Sequence, residues 1–372
     1  MPSTMRSACA SPAGVPGRLP SAAAWRVTVA RQWVSGAAAG AALAVSAVVG
    51  VILLGRAAQQ PPSGRVTPAA PRNPPVTLPG RAGTPRGHRP FAVGLRTLRL
   101  VDRSRRVRQA DGRVVARTLV TEVRYPALGA PSGADARGAP AARAAGPFPL
   151  VVFGHGFGLL PRTYALLLRA WARAGFVVAA PAFPLERATA PGGPVESDIV
   201  NQPGDVRFLI SALLRDGAAA RGPLHGLLDP QEIAVGGHSD GASTASAVAY
   251  DRRERDPRVR AALLFSGAAI DGAFLPRHGS PPLLAVQGTA DAVHPPAGTY
   301  AAFAAASRPK YLLRLLGAGH EDPYTIQLPQ RRVVERVAVA FLDRYLRHRP
   351  DAERVLRAAA RAPGIASLTA AP

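Results

Sequence analysis

One short stretch constrains the fold more than any other part of this sequence. Residues 233–235 are apolar, as in a buried strand, and they run into Gly-Gly-His-Ser-Asp-Gly-Ala at 236–242 and then into small residues of helical character. A sharp turn from strand to helix leaves Ser239 in a strained conformation, and side chains at Gly237 and Gly241 would collide with the neighbouring strand and helix. The pattern predicts a serine presented at the end of a central strand.

The chain on either side of this turn alternates between apolar strands and helices. An antiparallel hairpin is predicted at 95–101 and 114–125. Further strands are predicted at 150–153, 176–180, 233–235, 261–265, 283–287 and 311–316, and helices at 162–174, 204–214, 239–250 and 331–347. This alternation indicates an α/β fold: a mainly parallel twisted sheet with helices on both faces.

Pockets in such sheets lie beyond the carboxyl ends of the strands. No stretch is long enough for a large cap domain, so the loops at 181–204 and 266–281 are the candidates to wall a pocket there. We therefore expect a shallow, open site.

A serine hydroxyl needs a base to remove its proton, and His320 is the predicted base. It follows the last predicted strand in the flexible turn Gly-Ala-Gly-His, which can bring an imidazole to the edge of the sheet. His278 and His294 precede that strand, and His348 lies between arginines beyond the terminal helix, where a solvated side chain is expected. Each is a weaker candidate for the base.

The base in turn needs an acid to orient it, and in this kind of fold the acid lies between the serine and the histidine in the chain. Asp291 comes just after the strand at 283–287 and is the predicted acid. Asp271 follows the preceding strand and is the alternative, because the same geometry can be reached from one strand earlier.

A second glycine-rich turn, at 154–158, ends the first core strand. Its backbone amides can point inward, so the N–H of Phe157 and that of Asp240 are predicted to bind a developing oxyanion, with the Phe157 ring lining the acyl site. His155 belongs to this turn and is predicted to make a structural hydrogen bond. The ring of His238 is predicted to point away from the chemistry.

Over roughly 91–347 these residues resemble the α/β-hydrolase superfamily. The segments at 94–105, 123–126, 148–156 and 201–206 look like the branch of platelet-activating-factor acetylhydrolase-like esterases, chlorophyllases and dienelactone-hydrolase-like proteins. The resemblance implies Ser239, Asp291 and His320 as a catalytic triad, with no cofactor and no metal. Two departures are Asp240, where many relatives carry an apolar residue, and Ala242, where a third glycine is frequent.

These features predict a serine carboxylic ester hydrolase, acting on short-acyl or lipid-like esters through an acyl-enzyme. An acyltransferase with the same triad is one alternative, and a catalytically silent, membrane-tethered binding protein is another.

The net charge of +23 does not change this prediction. Ten arginines and no acidic residue lie in the first 90 residues, and Lys310 is the only lysine of the chain. There is no zinc-finger spacing, RNA-binding signature or basic run with interleaved aromatic residues, so no nucleic-acid partner is expected. The arginine-rich composition is more typical of a GC-rich coding bias.

The acid-free region predicts export. Residues 34–55 carry no charge and are long enough to span a bilayer, as an anchor or as a signal segment that is cleaved. The basic residues 1–33 then form a cytoplasmic leader that contains Cys9, the only cysteine. A Pro-rich linker at 56–90, an extracytoplasmic catalytic domain at 91–350 and a flexible tail at 351–372 complete the prediction.

Overall fold

The computed structural model describes residues 90–267 and 277–372. The leader predicted at 1–33 and the uncharged segment at 34–55 lie outside the described residues, as do the linker up to residue 89 and Asp271. None of the helices in the described ranges is long and apolar enough to cross a membrane.

The strands of the described residues form one sheet, in the order β10-β9-β8-β7-β6-β4-β5-β2-β1-β3. They are β1 Ala92–Arg108, β2 Val114–Ala127, β3 Ala136–Arg137, β4 Phe148–Gly154, β5 Val177–Ala182, β6 Leu228–His238, β7 Val259–Phe265, β8 Leu283–Gly288, β9 Lys310–Leu315 and β10 Ala366–Ala371. From β5 to β9 the neighbours are parallel, whereas β2 and β10 add antiparallel strands at the two sides. The predicted hairpin is the pair β1 and β2.

Helices cover both faces of the sheet. They are α1 Ala165–Arg173, α2 Gln202–Ala218, α3 Asp240–Tyr250, α4 Pro296–Ala305, α5 Asp322–Thr325, α6 Gln330–Leu346 and α7 Ala352–Ala359, with 3-10 turns at Arg143–Ala145, Pro161–Tyr164 and Glu196–Asn201. Successive strand residues face opposite sides of the sheet. Phe153 therefore belongs to the core cluster that includes residues of α1, α5, α6 and α7, and Val152 to the cluster that includes residues of α2, α3 and α4. The predicted α/β fold without a large cap domain is confirmed.

Each predicted strand and helix overlaps an observed one, but the end of the chain differs from the prediction. The flexible tail predicted at 351–372 is wrong, because this segment contains α7 and β10. Leu356 of α7 is fully buried in the core, and β10 pairs along the whole of β9, from Ala366 opposite Leu315 to Ala371 opposite Lys310. The pairing satisfies backbone groups of β9 that would otherwise form a bare sheet edge.

A buried ion-pair network connects the β1–β2 hairpin to the segment before α2. Arg117 of β2 is 2% exposed and bonds to both Asp198 and Asp205 at 2.6–2.9 Å. Arg105 joins Asp205 to Asp102 of β1 at 2.7 and 2.6 Å. Because removing Arg117 would leave the buried carboxylates of Asp198 and Asp205 without their main partner, the network fixes the start of α2 against the hairpin.

Candidate active site

Ser239 lies between β6 and α3 with φ 55° and ψ −121°, in a region that non-glycine residues seldom occupy. The glycines on either side allow this turn. A Cβ on Gly237 would lie 2.2 Å from the backbone of Gly241, and a Cβ on Gly241 would lie 2.2 Å from the carbonyl oxygen of Gly154. The predicted need for glycine at both positions is confirmed, and Ser239 itself is only half-buried.

The predicted base and acid meet beyond the ends of β8 and β9. His320 Nδ1 lies 2.9 Å from Asp291 Oδ2. Asp291 Oδ1 accepts hydrogen bonds from the backbone N–H groups of Val293 and His294 at 3.0 and 2.7 Å. Burial alone would raise the pKa of Asp291, but the hydrogen bonds from His320 and His294 lower it to about 2. The ionised carboxylate thus holds a proton on Nδ1 and leaves Nε2 of His320 as the basic nitrogen.

His238, immediately before Ser239, contacts both the backbone and the ring of His320. Its Nε2 lies 2.9 Å from the His320 carbonyl oxygen, its Nδ1 lies 2.7 Å from the Tyr164 hydroxyl, and the two imidazole centroids are 4.6 Å apart. The prediction that this ring points away from the chemistry is wrong, because it packs directly on His320. Burial lowers the pKa of His238 to about 3, so the ring is neutral and can donate from Nε2 while accepting at Nδ1.

The glycine-rich turn after β4 lies against the nucleophile. A Cβ on Gly156 would be 3.2 Å from the Cβ of Ser239, and Tyr164 accepts a hydrogen bond from the Gly156 N–H at 3.2 Å. Within the described residues, neither the Phe157 N–H nor the Asp240 N–H donates to a protein acceptor. The two N–H groups thus have no acceptor among these residues, as the predicted role as oxyanion donors requires.

The other histidines lie in different surroundings: His155 is buried, His348 is exposed and His294 packs against His320. His155 Nδ1 donates to the Gly156 carbonyl at 2.8 Å and its Nε2 accepts from the Phe183 N–H at 3.0 Å, which confirms its structural role. Burial lowers the pKa of His155 to about 4. His348 is exposed and lies 3.0 Å from Glu232, whereas His294 stacks on His320 with centroids 6.5 Å apart.

A buried carboxyl group, that of Glu186, lies beside this site, and no local sequence pattern predicts its position. Glu186, in the loop after β5, is fully buried and contacts Asp240. The loop at 181–204 was predicted only to wall the pocket, because the contact between Glu186 and Asp240 depends on tertiary packing. No group of three or more His, Cys, Asp or Glu residues suited to a metal ion occurs in 90–267 or 277–372.

Comparisons with known proteins agree with this architecture. A family model described as chlorophyllase matches residues 138–294, which include both glycine-rich turns and Asp291 but end before His320. The solved structure of a ferulic acid esterase from Streptomyces cinnamoneus is 23% identical, with a TM-score of 0.52, and the match covers 70% of this chain and 92% of that chain. No protein with a curated description matches. The chain has the α/β-hydrolase fold, and the family-model match over residues 138–294 agrees with the predicted resemblance.

Proposed function

We propose that this protein is a serine carboxylic ester hydrolase with Ser239 as nucleophile, His320 as base and Asp291 as the orienting acid. The observation that carries the proposal is the 2.9 Å contact between His320 Nδ1 and Asp291 Oδ2, beside a serine held at positive φ. The similarity to the chlorophyllase family model and to a ferulic acid esterase supports ester hydrolysis as the reaction class.

The geometry supports a two-step reaction. Ser239 Oγ bonds to the ester carbonyl carbon as its proton passes to His320 Nε2, and the carbonyl oxygen becomes an oxyanion that accepts from Phe157 and Asp240 N–H. The bond to the alcohol then breaks, and the alcohol leaves with the proton from His320. Water attacks the acyl-enzyme, giving its proton to His320, and Ser239 is released when that proton returns to Oγ.

We propose short-acyl or lipid-like esters as substrates. Ser239 is half-buried, so an ester can reach it without a large opening motion. Phe157 carries one of the two proposed oxyanion amides and exposes 42% of its surface, so its ring offers an apolar surface beside the acyl group.

The test is hydrolysis of p-nitrophenyl acetate, butyrate and octanoate by the full-length protein, with Ser239→Ala as the control. We expect hydrolysis that falls by at least about 10⁴-fold in the variant, because the covalent route is lost. Equal rates for the two proteins, or no hydrolysis of any ester of the series by the wild type, would contradict the proposal.

A further inference from the structure

Two carboxyl groups meet beside the nucleophile. Glu186 is fully buried, Asp240 is 7% exposed, and the two carboxyl groups are close enough to influence each other's ionisation. Each also has a buried oxygen, Glu186 Oε1 and Asp240 Oδ2, to which no N–H or O–H group of the described residues donates. Two carboxylates in contact repel each other, whereas one proton between them satisfies both oxygens.

The surroundings assign that proton to Glu186. Thr244 Oγ1 donates to Gln202 Oε1 at 2.7 Å, and the Nε2 group at the other side of this amide faces Glu186. Gln202 Nε2 then donates to Glu186 Oε2, so the position left for a proton on Glu186 is Oε1. Burial and the Asp240 carboxylate both raise the pKa of Glu186.

Charges on the neighbouring elements act in both directions. Asp198 raises the pKa of Glu186, and its own charge is balanced by Arg117. Burial raises the pKa of Asp240, Glu196 raises it further, and Glu186 and His320 lower it. The result at neutral pH is a protonated Glu186 that donates to an ionised Asp240.

Glu186 also reaches the other half of the proposed oxyanion site. Its carbonyl oxygen accepts a hydrogen bond at 3.0 Å from the N–H of Gly158, the residue after Phe157. One residue is thus bonded through its main chain to the turn that carries Phe157 and through its side chain to Asp240. Phe157 and Asp240 contribute the two backbone amides that bind the oxyanion in the proposed mechanism.

We propose that Glu186 is a positioning residue: the proton that it shares with Asp240 fixes the spacing of the Phe157 and Asp240 amides around the carbonyl oxygen of the substrate. The inference rests on the proposed ester hydrolysis. Because the amides bind the oxyanion more tightly than the neutral carbonyl, loss of this spacing lowers kcat rather than raising KM. At alkaline pH the shared proton is lost, the two carboxylates repel each other and kcat falls.

The test compares Glu186→Gln with Glu186→Leu in the full-length protein. The glutamine still accepts from Gln202 and donates an N–H to Asp240, so we expect its kcat at neutral pH to stay within about 3-fold of the wild type. The leucine removes both bonds, and we expect kcat to fall about 100-fold with little change in KM. Phenylboronic acid forms a tetrahedral adduct with an active-site serine. The affinity of Glu186→Leu for this compound should fall together with its kcat. A kcat within about 3-fold of wild type for Glu186→Leu, or a loss confined to KM, would overturn the inference.

The pH profile of kcat separates positioning from a purely structural role and does not depend on the leucine variant folding. We expect the wild type to lose kcat at alkaline pH after spontaneous hydrolysis is subtracted, and Glu186→Gln to keep it, because an amide holds its protons. The same alkaline loss in both proteins would overturn the inference while leaving ester hydrolysis intact. A wild type that hydrolyses no ester would overturn both, since no oxyanion would then form.

Discussion

The strained backbone of Ser239 is held by its immediate surroundings. A non-glycine residue at positive φ costs about 1–3 kcal/mol. Ser239 N–H donates to the Phe265 carbonyl at 3.0 Å, and the Ser239 carbonyl accepts from Ala242 and Ser243 at 2.9 and 3.1 Å. These bonds join the turn to β7 and to the first turn of α3. They would have to break before Ser239 could adopt a less strained backbone conformation.

The acid of the proposed triad can be tested at single-residue resolution. Asp291→Asn keeps the size of the side chain but removes the charge that orients His320, so we expect kcat to fall by about 10³- to 10⁴-fold with the fold intact. The matched control is Asp271→Asn, at the alternative acid of the sequence prediction, for which we expect less than about a 3-fold change. Steady-state ester hydrolysis measures both, and a larger loss in the control would transfer the role to Asp271.

The buried His155, in the glycine-rich turn after β4, predicts a pH dependence of stability. The lowered pKa of His155 means that it binds a proton near pH 6.5 when unfolded but only near pH 4 when folded. Stability from this residue is therefore complete above pH 6.5 and is lost as the pH falls toward 4, with a slope of about 1.4 kcal/mol per pH unit.

His155→Gln removes this titration and keeps one donor for Gly156 and one acceptor for Phe183. Urea unfolding between pH 7 and pH 4 should show the wild type losing stability relative to the variant as the pH falls. A constant difference between the two proteins across that range would show that His155 does not titrate on unfolding.

At the level of elements, the segment from Asn201 to Asp205 makes several separate contacts. Asn201 Nδ2 donates to Asp198 at 2.8 Å, Gln202 holds Glu186, and Asp205 bonds to Arg105 and Arg117. The start of α2 therefore connects the hairpin to the carboxyl pair beside Ser239.

The ion-pair network predicts very different effects for two arginines of the hairpin. Arg117→Ala leaves Asp198 and Asp205 buried without their main partner, and we expect a loss of about 3–5 kcal/mol in the free energy of unfolding. Arg113 pairs with Asp111 on the surface, with side chains 72% and 49% exposed, so Arg113→Ala should leave the free energy of unfolding almost unchanged. Denaturant unfolding measures both, and equal losses would show that burial does not set the contribution of the network.

For the whole molecule, we propose that residues 34–55 direct the catalytic domain across a membrane and leave Cys9 in the cytoplasm. In intact cells, a membrane-impermeant maleimide should leave Cys9 unlabelled and should label it after lysis. The matched control is Ser132→Cys in a Cys9→Ser chain, because Ser132 is exposed in the catalytic domain and should react in intact cells. Labelling of Cys9 in intact cells would contradict the proposed topology.

Local patterns were enough to predict the sheet and the turn at Ser239, because each depends on an apolar run that is visible in the sequence. They made Asp291 the predicted acid for His320 but left Asp271 open, because both aspartates follow a predicted strand. The contacts of Glu186 and His238 could not be predicted, since they join residues far apart in the chain. The ordered C-terminus was missed for another reason. Eight of the twenty residues 352–371 are alanine and only four are larger aliphatic residues, so little in the sequence marks the segment as core. It is ordered by pairing with β9 and by burial of Leu356.

The most direct test of the central claim is mass spectrometry of the full-length protein after reaction with a fluorophosphonate, which phosphonylates activated serines. We predict one adduct, on the peptide that contains Ser239, no adduct in Ser239→Ala, and labelling slowed by about 10³-fold or more in His320→Ala. An unmodified wild type, or an adduct on a different serine, would contradict the assignment of Ser239 as the nucleophile.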